Sequence, residues 1–178
     1  KNNLNEICPP KITKCKSKPY TKITFKPDYA RFGLQGITSD MMNLLQRRTY
    51  DIAAVSDHSV KKVKIYFNNS LLPVKNFQQY IDLYIGKKDA APRVYETNDV
   101  FWEYAVALSP THEFIQVSFV NGIATSKGGK HVDHIIGQIT RKLQDYIEKK
   151  KKVKVNLNSI KEQIMLFLRC DVVNPSFD

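Results

Sequence analysis

Long apolar runs are absent from this chain: no stretch approaches the about 20 residues that a bilayer-crossing helix needs, and no apolar leader segment stands near Lys1. Cysteine is scarce as well. Cys8, Cys15 and Cys170 are odd in number, and none sits in the C-x-x-C spacing of a zinc site. A disulfide framework is therefore not expected, and the chain reads as a protein of a reduced, intracellular compartment. In that setting the sequon Asn68-Asn69-Ser70 is a plain turn. Internal repeats and low-complexity tracts are missing apart from one lysine run. Acidic residues are few: 17 against 28 basic ones, for a formal charge of +11. That balance points to a polyanionic partner, nucleic acid before membrane, because neither end carries a basic amphipathic anchor. A basic surface kept only for solubility is the plain alternative.

What remains is a globular composition, 42% hydrophobic and 11% aromatic. At 178 residues the chain can bury about 70% of its unfolded surface, as one domain or one and a half. Two short strands are expected at Lys11–Lys16 and Tyr20–Lys26, punctuated by prolines, as the edge of a larger sheet. Ser39 or Asp40 can cap a helix to about Ser56 with Met41, Leu44, Leu45, Ile52 and Val55 on its buried face, interrupted by Arg47 and Arg48 where the helix leaves the core. From Lys62, Val63, Ile65 and Phe67 alternate as a strand. Asn76–Ile85 carries Phe77, Tyr80, Ile81 and Tyr84 at helical spacing, and Val94-Tyr95 suggests a brief strand. Phe101–Ser109 predicts a strand with Trp102, Tyr104, Val106 and Leu108 on one side, and Phe114–Val120 its antiparallel neighbour. The strongest periodicity, Val132, Ile135, Ile136, Ile139, Leu143, Tyr146 and Ile147, predicts a long amphipathic helix. A last helix is expected from Ser159, with Glu162 completing a capping box and Ile160, Ile164, Phe167, Leu168 and Val172 buried. The sum is an α/β (α+β) fold: an antiparallel-rich mixed sheet of about four strands with long helices on one face.

The most informative segment is Gln116–Asp133, Q-V-S-F-V-N-G-I-A-T-S-K-G-G-K-H-V-D, a strand breaking into a loop that enters the long helix. Lys127 and Lys130 bracket Gly128 and Gly129. The glycines can simply supply positive φ in a strand-to-helix connection, or the loop can offer N–H groups and lysines to a phosphate. It is not a Walker A motif, which needs a longer spacer and a Gly-Lys-Ser or Gly-Lys-Thr. Lys149, Lys150, Lys151 and Lys152, joined by Lys154 and preceded by Arg141 and Lys142, form the one dense charge run. A solvated helix end suits the helix dipole; contact with nucleic-acid phosphates explains why four lysines stand in series. His131 and His134 lack a third ligand at a convincing spacing, so no metal site is expected, and His131 reads as a hydrogen bonder that fixes the loop. No Ser-His-Asp or Cys-His arrangement is present, so no catalytic residue is assigned. Trp102, Tyr104 and Phe119 read as core rather than as a base-stacking platform.

Taken in order, Arg47-Arg48-Thr49-Tyr50-Asp51-Ile52-Ala53, Leu72-Pro73-Val74-Lys75-Asn76-Phe77 with Tyr80-Ile81-Asp82, the Gln116–Asp133 segment, and Asn174-Pro175-Ser176-Phe177-Asp178 closely resemble the transducer domain of eukaryotic-type type IIA DNA topoisomerases. The resemblance runs from about Thr24 to Asp178, while Lys1–Asp28 resembles the closing strands of the preceding GHKL-type ATPase domain; Tyr29–Asp178 is then the transducer, with its ribosomal-protein-like fold. Gly122 and Lys130 stand where the family pattern leads one to expect Ser and Arg, and the segment between Ile85 and Arg93 is short. The resemblance implies a parent that couples ATP binding and hydrolysis to passage of one duplex through another, as a nuclear (or virally encoded) homodimer acting on double-stranded DNA, not on a membrane. It implies that ATP and Mg²⁺ bind outside these residues, with the switch lysine just after Asp178, and that the Lys149–Lys152 run is the family's DNA-contacting lysine loop. The alternatives are a stand-alone basic RNA- or DNA-binding module and, behind it, a protein-interaction scaffold.

Overall fold

The computed structural model describes residues 5–56, 63–98 and 102–177. By its contacts the chain divides into two units, Lys1–Ile37 and Thr38–Asp178. In the first, the one regular element among the described residues is a 3₁₀ turn at Ala30–Phe32, closed by left-handed Gly33. The two strands expected at Lys11–Lys16 and Tyr20–Lys26 do not form: none of the unit's described side chains is buried, and alternation without a partner strand does not stabilise an extended chain.

The second unit begins with helix α1 (Ser39–Val55), whose cap is Thr38, one residue before the expected caps, its hydroxyl accepting from Met41 N. The expected buried face is borne out only at Val55, which packs against the core, and Met41 is half-buried. Leu44, Leu45 and Ile52 are about half exposed (53%, 45% and 54%), and the buried residues are Asp51, Ala53 and Ala54. Arg47 and Arg48 therefore mark where the helix enters the core rather than leaves it. Strands β1 (Tyr66–Phe67) and β2 (Ser70–Leu71) form a hairpin across Asn68 and Asn69, both left-handed (φ 46° and 65°), as a two-residue turn requires. Helix α2 (Phe77–Ile85) is capped by the Asn76 side chain, which accepts from Gln79 N. Its Tyr80 hydroxyl donates to Asp51 Oδ1 at 2.5 Å, while Arg48 Nη1 donates to Asp51 Oδ2 at 2.9 Å. A carboxylate only 5% exposed is thus fully partnered, and it ties α1 to α2.

The main sheet has five strands in the order β3 (Arg93–Asn98), β4 (Trp102–Leu108), β7 (Ile164–Cys170), β5 (Ile115–Val120), β6 (Ile123–Ala124). Its mixed, antiparallel-rich character is as expected, but three details differ. Ile164–Cys170 is the central strand and not part of a last helix; the helix there, α4 (Leu157–Lys161), is one short turn capped by Asn156. Because β7 intervenes, β5 does not pair with β4. It runs parallel to β7, with Val117 opposite Phe167, while β4 runs antiparallel to β7, with Ala105 opposite Phe167. The brief strand expected at Val94-Tyr95 extends over six residues. Phe101 and Lys62, expected ends of strands, and Asp178 lie outside the described residues.

Helices cover both sheet faces rather than one. Met165 and Phe167 of β7 pack with Ala105, Phe119, Phe77, Tyr80, Ile81, Ala53 and Ala54, beneath α1 and α2. Ile164, Leu166 and Leu168 pack with Val132, Ile136 and Ile160 of α3 (Lys130–Lys151) and α4, with Trp102, Tyr104 and Val106 alongside. Alternate residues of a strand point to opposite faces, so a strand apolar at every position needs two layers over it. Phe119 is a core residue as expected, Trp102 and Tyr104 are half-buried against the α3-side cluster, and Leu108, at the end of β4, is 81% exposed.

Replacing Phe167 with Ala is expected to destabilise the fold by about 3–5 kcal/mol, through lost burial and a cavity beside Tyr84. Leu44→Ala on the exposed face of α1 is expected to change stability by no more than about 0.5 kcal/mol. Urea denaturation of the two variants checks both, and the reverse order would restore the face predicted from periodicity.

Candidate nucleic-acid interface

Both candidate basic sites lie on α3, at opposite ends. Its 22 residues rise about 1.5 Å each, so the loop Lys127–Lys130 and the run Lys149–Lys152 stand about 30 Å apart; the fold does not bring them together. Val132, Ile136 and Thr140 face the sheet, which leaves Lys130, His134, Gln138, Arg141, Asp145 and Lys149 exposed on the opposite side. Successive helical residues turn by about 100°, so Lys149, Lys150 and Lys151 fan around the helix end instead of sharing a face. Lys150 Nζ lies 5.9 Å above the Tyr146 ring. Lys152 takes the left-handed conformation (φ 55°) and ends the helix, its N–H donating to Glu148 O. Just beyond, Gln144 Nε2 donates to Val155 O at 2.7 Å, and Ile147 and Val155 pack on the core. The lysines are thus presented to solvent by an anchored helix end, and none of the ion pairs among the described residues involves them.

The other end is a hydrogen-bonded loop. Asn121 and Gly122, both left-handed, turn β5 into β6, a hairpin not foreseen from the sequence. Asn121 also clamps the chain after β7, its side chain donating to Val172 O and accepting from Val172 N. Ser118 and Thr125 hydroxyls meet at 2.5 Å, and His131 Nε2 lies 3.0 Å from Thr125 Oγ1 and 3.2 Å from Ser118 Oγ. His131 is the loop-fixing residue the sequence suggests. Burial lowers its pKa below the ordinary imidazole value, against a smaller opposing effect of Asp133, which favours the neutral ring within this cluster. Gln116 Nε2 donates to the carbonyls of Thr125 and Ser126, holding the loop from β5. Gln116, Ser118 and Thr125 were missed from the sequence, although two polar residues at alternate positions of an apolar strand were a signal that one sheet face meets something polar. Gly128 (φ 76°) and Gly129 (φ 145°) occupy conformations that side chains avoid, and a Cβ on Gly129 would stand 3.1 Å from the His131 ring. Lys127 and Lys130 are exposed on either side.

No group of three or more His, Cys, Asp or Glu among the described residues could hold a cation. The concavity lined by Val55, Gly122, Arg169, Cys170 and Asp171 has room for about one water molecule. Within it, burial first and then Asp171 push the Cys170 thiol up to about 11, so it stays protonated. No helix of the described residues is long and apolar enough to cross a membrane.

The family described as DNA gyrase B matches residues 76–178. The DNA topoisomerase 2 of Candida glabrata is 41% identical over 99% of this chain, which spans 13% of that protein, and the DNA topoisomerase 2 of Arabidopsis thaliana is 40% identical over 99% of the chain and 12% of its own length. The chain belongs to the type II DNA topoisomerase family. Its fold matches the crystallised ATPase region of Saccharomyces cerevisiae topoisomerase II with a TM-score of 0.81 and 39% identity, over 95% of this chain and 42% of that one. At 15% identity, the B-subunit of the DNA gyrase from Myxococcus xanthus shares the fold, with a TM-score of 0.56. The chain thus spans about an eighth of the length of the curated relatives it matches.

Gly129→Ala is expected to cost about 1–3 kcal/mol, from the forbidden φ and the clash with His131. The neutral His131 carries a pH signature. Its folded pKa is depressed, so the unfolded chain binds more protons at mildly acidic pH. The stabilisation is complete above the unfolded value of about 6.5 and is lost as pH falls below it toward the folded pKa. Chemical denaturation between pH 7.5 and 5, taken as about that window, should show this loss in the wild type and a flatter profile in His131→Gln. Equal profiles would remove His131 from the cluster's energetics.

Proposed function

We propose that this chain is the transducer segment of an ATP-dependent type II DNA topoisomerase, Tyr29–Asp178, joined through the residues up to Asp28 to a preceding ATP-binding domain. The observation that carries the reading is likeness along nearly the whole chain to DNA topoisomerase 2 sequences and to the yeast ATPase region. In this reading the segment's work is mechanical. ATP and Mg²⁺ bind outside these residues and draw two copies of the parent together; the transducers then move, and their walls enclose a duplex. Such coupling requires two arrangements of nearly equal energy that nucleotide biases, not a bond-making residue in this chain. A sheet covered on both faces, with α1 fastened to α2 through buried Asp51, suits a rigid lever. Lys149–Lys152 contact duplex phosphates, which exposed and unpaired lysines do without sequence preference. Lys127 and Lys130, with Gly128 and Gly129 shaping the loop, stand at the DNA cavity. The eukaryotic relatives favour a nuclear setting. Neither a stand-alone RNA- or DNA-binding module nor an interaction scaffold draws support from these likenesses.

Two measurements test the reading. Calorimetric titration of the 178-residue chain with a non-hydrolysable ATP analogue and Mg²⁺ is expected to give no saturable heat; micromolar binding would place nucleotide chemistry inside the chain. In the full-length parent, joint replacement of Lys149, Lys150 and Lys151 by Ala is expected to lower DNA-stimulated ATP hydrolysis and strand passage while DNA-independent hydrolysis persists. Wild-type DNA stimulation in that variant would make the run a solvated helix end.

A further inference from the structure

We propose that α3 is a ruler for double-stranded DNA: its solvent face holds a duplex at two points one helical turn apart, Lys127 and Lys130 at one end and Lys149, Lys152 and Lys154 at the other. The proposal rests on the DNA-binding reading of the lysine run and adds a second contact, a spacing and an orientation. All five lysines are exposed. Lys130 and Lys149 bracket the solvent-facing side of the helix, turned away from buried Val132, Ile136 and Thr140. The two lysine groups stand about 30 Å apart along the helix, within side-chain reach of the 34–36 Å or about one turn after which the backbone of B-form DNA returns to the same side of the duplex. A duplex lying parallel to α3 therefore offers the same strand to both ends. Between them the exposed charged residues are Asp133, Arg141, Lys142 and Asp145, two bases against two acids, so the net positive charge is concentrated at the ends where the phosphates approach.

A spacing is useful only if its ends are fixed, and both are. The loop bearing Lys127 is tied to β5 by the two bonds from Gln116 and to the helix by the Ser118–Thr125–His131 cluster. The helix end is tied down by Gln144 on Val155 and by Ile147 on the core. Lysine contacts of this kind address phosphates and leave bases unread, so the site takes any duplex sequence.

The test is the salt dependence of binding of the 178-residue chain to a duplex of about 20 base pairs and to a hairpin duplex of about 8, which is too short to reach both ends. The log K against log salt slope is expected to be steeper on the long duplex by about 0.9 for each phosphate contact at the second end. Lys127→Ala with Lys130→Ala should abolish that excess and leave the short-duplex slope nearly unchanged, with an unaltered melting temperature. Replacement of Lys149, Lys152 and Lys154 by Ala should shrink the slope on both. If the Lys127 and Lys130 variant keeps the wild-type slope on the long duplex while the lysine-run variant loses it, the ruler is wrong and the single-site reading stands. If neither variant moves either slope, the DNA-binding reading falls with it. An equal Lys127- and Lys130-dependent excess on a single strand of the same length would overturn the duplex register.

Discussion

Strand β7 is apolar on both faces, and the rest of the second unit is arranged around that constraint. Ile164, Met165, Leu166, Phe167 and Leu168 are all buried, alternating between two clusters. Such a strand is stable only at the centre of a sheet and only with a helix layer above and below. Its neighbours satisfy its backbone in opposite senses, β4 antiparallel and β5 parallel. A parallel neighbour cannot be reached by a tight turn, so the chain between β5 and β7 must cross over, and the crossover is α3 with α4. The long helix that displays the lysines exists because the central strand requires it.

The two layers are secured by different chemistry. On the α3 side the contacts are mostly aliphatic and aromatic; buried Thr140 donates to Ile136 O, and in the entrance loop Ser118, Thr125 and His131 satisfy one another. On the other side a buried carboxylate, Asp51, joins α1 to α2 through Arg48 and Tyr80. Burial, and then the bond to Asp51, push the Tyr80 phenol far above its usual range, so it remains a donor at any ordinary pH. Removing one partner would leave an uncompensated charge in the core. Arg48 and Asp51 belong to the Arg47–Ala53 segment that resembles the family, and in this structure they form a packing joint.

The two-layered body displays a dense lysine run at the end of one exposed helix, α3. Reactive features are sparse. Cys170, buried with a raised pKa and 3.7 Å from the Phe119 carbonyl oxygen, is a small core residue.

The sequence by itself determined the class of the fold, the long helix, the α2 helix, the turn at Asn68-Asn69, the glycine-dependent loop and the basic run, because each rests on local chemistry: periodicity, caps, positive φ and charge. Ordered motifs were enough to point to the family. It did not determine the face of α1, since Leu44, Leu45 and Ile52 form as good a stripe as Ala53 and Ala54 until the arriving partner is known. Nor could it separate a doubly buried strand from a helix at Ile164–Cys170, where every residue but Arg169 is apolar and no period remains to be read. That ambiguity propagated, because without β7 the two flanking strands are free to pair with each other and one helix layer suffices. Gln116 and Ser118 were legible as polar interruptions, but their partners lie about ten residues away across a turn. The tertiary structure alone decided which side of each element faces the core, and so which lysines on α3 remain free for a partner.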